Sequence, residues 1–217
     1  TSTERSLTGD TLDVVFEAQA DGARVVKTYT LHRGRYDIQV RHDVYNTGDA
    51  PISPSVYLQL TRDGNDPPNT SFFYNTFTGP SLYSSEEKYQ KIKFSDIDKN
   101  KASYVKQADD GWVAIVQHYF AGAWVPVEGR VRHNEVLRVA DNLYSIRTIQ
   151  PIGEIQPGGH QAIDAKLWLG PQDQQAMQAV APGLDVVVDY GFLTIIAKPL
   201  FKLMTWLHSI LGNWGWT

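Results

Sequence analysis

Apolar residues recur at every second position in four stretches of the chain, and polar residues occupy many of the positions between them. In the first stretch, Leu12, Val14 and Phe16 alternate with Asp13 and Glu17. A period of two places one side of a β-strand on a core and the other side toward solvent or a second layer. The pattern therefore predicts strands through the first three quarters of the chain. The four stretches are 12–18, 36–44, 56–60 and 163–169.

Turn-forming residues separate these stretches. Glycine, proline, asparagine and aspartate cluster at 46–51, 62–69 and 157–159, and Asp110-Gly111 precedes an apolar run that begins at Trp112. The two prolines within 62–69 argue against a central strand there, because proline cannot donate to the ladder. Many strands joined by polar connections predict a mainly β fold of stacked antiparallel sheets.

The last quarter of the chain has a helical character. Pro171 is a favourable first helical residue, because the amide proton that proline lacks would have no partner there. The segment 171–180 is rich in Gln and Ala, which favour helices, and Pro182-Gly183 ends it. We therefore expect a β domain over 1–170 and a helical segment over 171–217.

The second helix predicted in this segment is strongly amphipathic. Its apolar residues follow steps of three and four, which place them on one wide face. The opposite face carries Thr194, Lys198, Lys202, Thr205 and Ser209. The apolar face, with tryptophans at its margin and beyond its end, comprises Phe192, Ile195, Ile196, Pro199, Leu200, Leu203, Met204, Trp206, Leu207, Ile210, Leu211 and Trp214.

Two interpretations of this helix are open. A helix with one apolar face most often packs against the core of its own domain. A helix that lies in a membrane interface has a similar pattern, with lysines on its polar face and tryptophans at the headgroup level. The cluster of Trp206, Trp214 and Trp216 keeps the second interpretation open.

The composition excludes several classes of protein and chemistry. The net charge is −4 and no run of Lys and Arg occurs, so we expect no nucleic-acid partner. The chain has no cysteine, which excludes disulfides, a thiol nucleophile and thiolate metal ligands. Residues 1–10 lack the features of a secretory signal, and charged residues interrupt the apolar region 184–211, so we expect no transmembrane helix.

Few side chains point to catalysis. Acid–base chemistry requires a proton donor and acceptor around the substrate, and the candidates are His118, His133, Glu128 and Glu135. Their spacing matches no catalytic motif, and the histidines lack the pairing of metal ligands. We therefore expect no enzyme activity, no metal and no cofactor.

A set of aromatic side chains raises the alternative of a binding module. Aromatic rings in a cleft can stack on a sugar or hold an extended peptide. The same rings can instead fill the core between two sheets, which is their more frequent use. The candidates for a cleft are Tyr74, Phe77, Tyr83, Tyr89 and Trp124.

Several segments resemble a known family. The end of the chain carries Asp189-Tyr190-Gly191, an Ile-Ala-x-Pro-Leu-Phe motif at 196–201 and Gly212-Asn213-Trp214-Gly215. This pattern is similar to the one that precedes the second transmembrane helix in YidC-type membrane-protein insertases of Gram-negative bacteria. The segments 77–94 and 111–126 resemble a Phe-Thr-Gly segment and a Gly-Trp-x-Ala-x-x-Gln-His-Tyr-Phe segment of the same family. Together these motifs are more specific than any one of them.

The resemblance implies a fold and a location. The family's periplasmic domain is a β-supersandwich of antiparallel sheets, related to galactose-mutarotase and carbohydrate-binding folds, with α-helices at its C-terminus. It lies in the periplasm at the inner membrane, between a first transmembrane helix before Thr1 and a second after Thr217. The amphipathic helix would be the family's interfacial helix, which leads to that second transmembrane helix.

The resemblance also implies a function and partners. Family members insert and fold inner-membrane proteins, with or without the Sec translocon, through a groove in a membrane core. Since this sequence lacks that core, we expect a scaffold and docking module without insertase activity of its own. The expected partners are SecD–SecF, SecYEG, nascent membrane proteins and the inner-membrane surface. The alternative remains a carbohydrate- or peptide-binding module in the sandwich cleft.

Overall fold

The structure is a computed structural model that describes residue 6 and residues 8–65, 77–188 and 194–212. In the last range, the side chains of residues 194–198, 201, 202, 208 and 211 are outside the description. Twelve strands lie within the described ranges. They are β1 Thr11–Ala20, β2 Ala23–His32, β3 Asp37–Asn46, β4 Ser55–Asp63, β5 Gly79–Ser84, β6 Lys88–Lys91, β7 Gln107–Ala108, β8 Trp112–Gln117, β9 Phe120–Pro126, β10 Arg132–Ala140, β11 Leu143–Pro151 and β12 His160–Pro171.

The strands form two antiparallel sheets. The larger sheet has the order β1-β2-β3-β12-β9-β8-β5-β6, and the smaller sheet has the order β4-β11-β10-β7. The helices are α1 Phe94–Asp98, α2 Gln174–Val180 and α3 Thr194–Leu211, with a 3₁₀ turn at Leu184–Val187. The predicted class of fold, antiparallel sheets in a sandwich with helices at the C-terminal end, is confirmed.

The main core lies between the two sheets. The register places Leu82, Val113, Trp124 and Leu167 side by side across β5, β8, β9 and β12. Facing residues on one side of a sheet in this way produces a continuous apolar layer. The smaller sheet contributes buried side chains from β4 and β11 to the same cluster. These are Leu58, Tyr144 and Ile146.

The four predicted strands are confirmed. The stretches around Leu12, Val40, Leu58 and Leu167 fall in β1, β3, β4 and β12, and Tyr36 directly precedes β3. The predicted loop at 62–69 begins later than expected, because Arg62 and Asp63 still pair with β11. Residues 66–69 of that loop lie outside the described residues.

The second α-helix begins at Gln174 and not, as predicted, at Pro171. Pro171 ends β12, where it is still in register with β9. Asp173 caps the helix instead, since its Oδ1 accepts hydrogen bonds from the backbone N–H groups of Gln175 at 3.0 Å and Ala176 at 3.1 Å. An aspartate at this position satisfies amides that the first turn leaves unpaired.

Helix α2 and the 3₁₀ turn cover the outer face of the larger sheet. Trp112 lies on that face, next to Val113 of the inner face, and its Nε1 donates to the carbonyl oxygen of Pro182 at 3.3 Å. Lys166 of β12 donates through Nζ to the carbonyl oxygen of Val180 at 3.2 Å. The connection between α2 and the 3₁₀ turn is thus hydrogen-bonded to side chains of β8 and β12.

The chain forms two compact units, Thr1–Val187 and Val188–Thr217. The prediction divided the chain after residue 170, whereas α2 and the 3₁₀ turn belong to the unit that contains the sheets. Met177 and Leu184 have no exposed surface, and burying them stabilises the attachment of both elements by the hydrophobic effect. The second unit contains α3.

His42 in β3 makes the stability of the sandwich depend on pH. Its side chain is 5% exposed, and burial, followed by the charge of Lys27 opposite it, lowers the pKa of His42 from 6.5 to about 4. The unfolded chain therefore takes up a proton near pH 6.5, while the folded chain stays neutral until about pH 4. Stability from this residue is complete above pH 7 and is lost as the pH falls from 6.5 to 4.

We expect His42→Leu to remove this part of the pH dependence. Between pH 7 and pH 4.5, the unfolding free energy of the original chain should fall by about 2–3 kcal/mol more than that of the variant. Urea denaturation of both proteins at the two pH values measures the difference. Equal losses in the two proteins would show that His42 is not the responsible group.

Candidate functional site

Helix α3 presents an exposed apolar face. Leu200, Leu203, Met204, Trp206 and Ile210 are between 39% and 63% exposed, and Leu207 is half-buried. At 100° per residue, Leu203, Leu207 and Ile210 lie on one side of the helix. Side chains of this type are normally buried in a folded domain, so an exposed row of them indicates a contact surface.

The polar face of α3 lies opposite. Thr205 and Ser209 lie on it, and the Ser209 hydroxyl donates to the carbonyl oxygen of Trp206 at 2.6 Å. Pro199 lies inside the helix. Gly212, which follows the last helical residue, has a φ of +67°, a conformation that suits a glycine at a helix end.

Part of the predicted apolar set cannot be placed as side chains. Ile195, Ile196 and Leu211 lie within the bounds of α3, but their side chains are outside the description. Phe192 and Trp214 lie outside the described residues altogether. The exposed face is therefore defined by the six described members from Leu200 to Ile210.

The aromatic residues proposed for a cleft do not line one cleft. Trp124 lies in the core between the sheets, where its Nε1 donates to the carbonyl oxygen of Gln59 at 3.2 Å. Tyr83 pairs with Trp112 on the opposite face of the larger sheet, and the two rings stack with centroids 5.8 Å apart. Because Tyr83 and Trp124 lie on opposite faces of the same sheet, their side chains cannot contact one ligand together.

The remaining aromatic candidates extend the cluster around Trp112. The ring of Tyr89 lies 5.8 Å from that of Trp112. Lys91 Nζ lies 5.7 Å from the Tyr89 ring and 5.6 Å from the Phe77 ring, within the range of a cation–π interaction. Tyr74 lies outside the described residues. Of the described candidates, Trp124 packs between the sheets, while Tyr83 and Tyr89 pack around Trp112 on the outer face.

A cleft of about 920 Å³, lined by both polar and apolar residues, lies on the outer face of the larger sheet. The connection 180–182 and the loop after β9 border it. Arg41 Nη1 lies 3.7 Å from Asp164 Oδ2, so opposite charges on its floor offset each other. The alternation of polar and core residues along β3 and β12 does not by itself predict this cleft. The side chains of the floor are Thr28, Thr30, Gln39, Arg41, Asp164 and Lys166.

The four acid–base candidates lie on three separate parts of the fold. His118 lies in the turn between β8 and β9, where its ring contacts that of Tyr119. His133 and Glu135 lie on β10 of the other sheet, with His133 Nε2 3.6 Å from Glu135 Oε1. Arg147 Nε donates to Glu135 Oε2 at 2.7 Å, which leaves that carboxylate in an ion pair.

Glu128, the fourth candidate, lies in the loop after β9, near a buried arginine. Arg132 is 2% exposed, and its guanidinium donates to the carbonyl oxygens of Gly111 at 2.9 Å and Val127 at 3.4 Å. Burial lowers the pKa of Arg132, and the carboxylates of Asp110, Asp109 and Glu128 act in the opposite direction. This arrangement holds two loops together.

Two findings concern metals and membranes. Across residues 8–65, 77–188 and 194–212, histidine, aspartate and glutamate side chains form no group of three suited to a metal ion. No helix in the described part of the chain has both the length and the apolar character that a bilayer span requires.

A sandwich of two antiparallel sheets, followed by a helix with an exposed apolar face, places the chain in the class of all-β domains that carry an accessory amphipathic helix. The chain matches the family model of the YidC periplasmic domain over residues 1–203. It therefore belongs to the family of YidC periplasmic domains.

Relatives support this assignment. A membrane protein insertase YidC of Bordetella parapertussis is 67% identical over 216 residues, which are 100% of this chain and 38% of the relative. A membrane protein insertase YidC of a Janthinobacterium species is 50% identical over 209 residues, covering 96% of this chain and 37% of the relative. The chain thus spans less than half the length of these relatives.

Solved structures with a similar arrangement are distant in sequence. A galactose mutarotase related enzyme from Lactobacillus acidophilus aligns with a TM-score of 0.45 at 10% identity, covering 76% of this chain and 69% of that one. A galactose mutarotase-like protein from Clostridium acetobutylicum aligns with a TM-score of 0.44 at 9% identity, covering 76% and 64%. At identities of 9% and 10%, this structural similarity gives no information about the activity of the chain.

Proposed function

We propose that this chain is the periplasmic part of an inner-membrane insertase and that it supports the insertion and folding of membrane proteins as a scaffold. Membership of the YidC periplasmic family, together with relatives at 67% and 50% identity that are membrane protein insertases YidC, supports this function. Two sheets packed around a buried apolar core suit a scaffold, because close-packed interiors resist deformation.

Helix α3 is the part of the chain that contacts the membrane in this proposal. The observation that carries it is the row of exposed apolar side chains, with Leu203 and Ile210 on one side of the helix and Ser209 on the other. Each large aliphatic side chain that moves from water into an apolar layer contributes about 1–2 kcal/mol. Trp206, at the margin of the face, suits the headgroup level, where one end of the ring is apolar and the other is wet.

The sandwich serves in this proposal as a docking surface for the insertion machinery. The partners are SecD–SecF and SecYEG, together with nascent membrane proteins, and the location is the periplasmic side of the inner membrane. The relatives are membrane protein insertases, which supports nascent membrane proteins as the substrate class. The role is non-enzymatic, which agrees with the separation of His118 from the pair formed by His133 and Glu135.

Vesicle binding tests the membrane part of this function. The intact chain and a chain that ends at Val187 are sedimented with lipid vesicles, which uses the boundary between the two compact units. We expect the intact chain to bind at least about 10-fold more tightly, because only it carries the exposed face of α3. Equal binding by the two chains would overturn the assignment of α3 to the membrane.

A further inference from the structure

Four polar residues are buried beside the main core, on the inner face of the smaller sheet. They are Arg132 and Asn134 of β10 and Thr148 and Gln150 of β11, each at most 3% exposed. Thr148 and Gln150 follow Ile146 at alternate positions, so they share the face that Ile146 directs into the core. Polar side chains in such a place need hydrogen-bond partners for their atoms.

The strand register brings three of these side chains next to one another. Asn134 is directly opposite Thr148 in the pairing of β10 with β11, which places their Cβ atoms about 5 Å apart on one face. Gln150 lies diagonal to Asn134 on that face, a separation that a long side chain can bridge. On its other side, Thr148 is opposite Leu58 of β4, a residue of the main core. The three side chains therefore form one polar group at the border of the apolar core.

The amide nitrogens of this group have partners in the backbone. Asn134 Nδ2 donates to the carbonyl oxygen of Val105 at 3.3 Å. Gln150 Nε2 donates to the carbonyl oxygen of Val127 at 3.2 Å. Because a carbonyl oxygen only accepts hydrogen bonds, these contacts fix which end of each amide is the nitrogen. A half-turn of either amide would place two oxygens against each other.

The side-chain oxygens of the group have no such partner. Asn134 Oδ1, Thr148 Oγ1 and Gln150 Oε1 are buried and lack a hydrogen bond within the described ranges of the chain. Leaving them unpaired is costly, because each would give up its hydrogen bonds to bulk water without replacement. The guanidinium of Arg132 does not supply the missing donors, since it donates to two backbone carbonyl oxygens instead.

We propose that an ordered water molecule binds between Asn134, Thr148 and Gln150 and links β10 to β11 inside the sandwich. Water has two protons for the two amide oxygens and a lone pair for the Thr148 hydroxyl. These are the three hydrogen bonds that a buried water typically makes.

The chemistry of the group favours water over an ion. Arg132 and Gln150 donate to the same carbonyl oxygen, that of Val127, so the guanidinium lies close to the three oxygens. Its positive charge repels a metal cation from them. An anion has no proton to donate to the amide oxygens of Asn134 and Gln150. A neutral molecule with both donors and an acceptor therefore matches the site.

High-resolution crystal structures of the chain and of two variants test the site directly. We expect a density peak at hydrogen-bond distance from the three oxygens in the chain and in Thr148→Ser, which keeps the hydroxyl. Thr148→Val has the shape of threonine without the hydroxyl, and we expect the peak to be lost or much weaker there. The absence of a peak in the chain, a peak at the shorter distances of a metal ion, or an unchanged peak in Thr148→Val would overturn the proposal.

The sign of the stability change in Thr148→Val tests the site in solution. If the hydroxyl binds water, its removal breaks a hydrogen bond, and we expect a lower urea midpoint of unfolding. A hydroxyl without a partner would give the opposite result, because its removal would relieve an unpaired buried group. The same change at Thr61, an exposed residue of β4, is the control and should leave the midpoint nearly unchanged. A midpoint that rises or stays the same in Thr148→Val would contradict the proposal.

Discussion

Trp112→Ala is expected to lower the free energy of unfolding by about 3–5 kcal/mol. Trp112 is 1% exposed and lies on the outer face of the larger sheet, with its ring 5.8 Å from the ring of Tyr83 and 5.8 Å from that of Tyr89. The substitution leaves a cavity under the connection that follows α2, and it removes the hydrogen bond from Nε1 to Pro182. Both losses loosen the attachment of α2 to the sheet.

Two further variants separate the loss of packing from the loss of the hydrogen bond. Chemical denaturation measures the free energy of unfolding of all three variants. Trp112→Phe keeps most of the packing and loses the hydrogen bond, for which we expect a loss of about 1–2 kcal/mol. Trp206→Ala makes the same change at a site that is 58% exposed, and we expect less than about 1 kcal/mol there. If Trp112→Ala lowered the free energy of unfolding by less than about 1 kcal/mol, the packing on the outer face of the larger sheet would not depend on this side chain.

Replacing Leu203 and Ile210 of α3 by glutamate is expected to weaken vesicle binding by about 100-fold or more. The change removes two apolar side chains, each contributing about 1–2 kcal/mol, and adds two charges that resist transfer into the membrane interface. Both positions are at least 50% exposed, so the first compact unit should keep its stability. Sedimentation with vesicles of zwitterionic lipid at 0.15 M salt, where screening limits long-range effects of charge, measures the loss.

The matched control carries the same charge on the other side of the helix. Thr205→Glu with Ser209→Glu also adds two negative charges, but both positions lie on the polar face. We expect a change of less than about 5-fold for this pair, with similar helix content by circular dichroism. Equal losses for the two pairs would attribute the effect to charge and not to the apolar face.

The sequence predicted strands β1, β3, β4 and β12 and helix α3, because their patterns are local. The alternation in β1, β3, β4 and β12 and the steps of three and four in α3 are visible within each segment. Strands β6 and β7 were not predicted, since four and two residues are too few for a period to appear. Pro171 suited a helix start by itself, and only its pairing with β9 shows that the strand continues to it.

The candidate sites depended more on pairing between distant strands. Tyr83 and Trp124 lie on β5 and β9, and only the register through Val113 shows that they lie on opposite faces of the sheet. The cleft on the outer face brings Arg41 next to Asp164, which is more than 100 residues away in the sequence, and no local pattern indicates this contact. The amphipathic helix required no such information, so its polar and apolar faces could be assigned from the sequence.

Attaching an environment-sensitive fluorophore along α3 measures most directly whether its apolar side enters the membrane. The chain has no cysteine, so single cysteines at Leu203, Leu207, Ile210, Thr205 and Ser209 each give one labelled site. With vesicles present, we expect a blue-shifted emission and quenching by brominated lipid chains at the first three positions and little change at the last two. Emission that stays the same at all five positions, or shifts equally at all five, would contradict a helix whose apolar side lies in the bilayer interface.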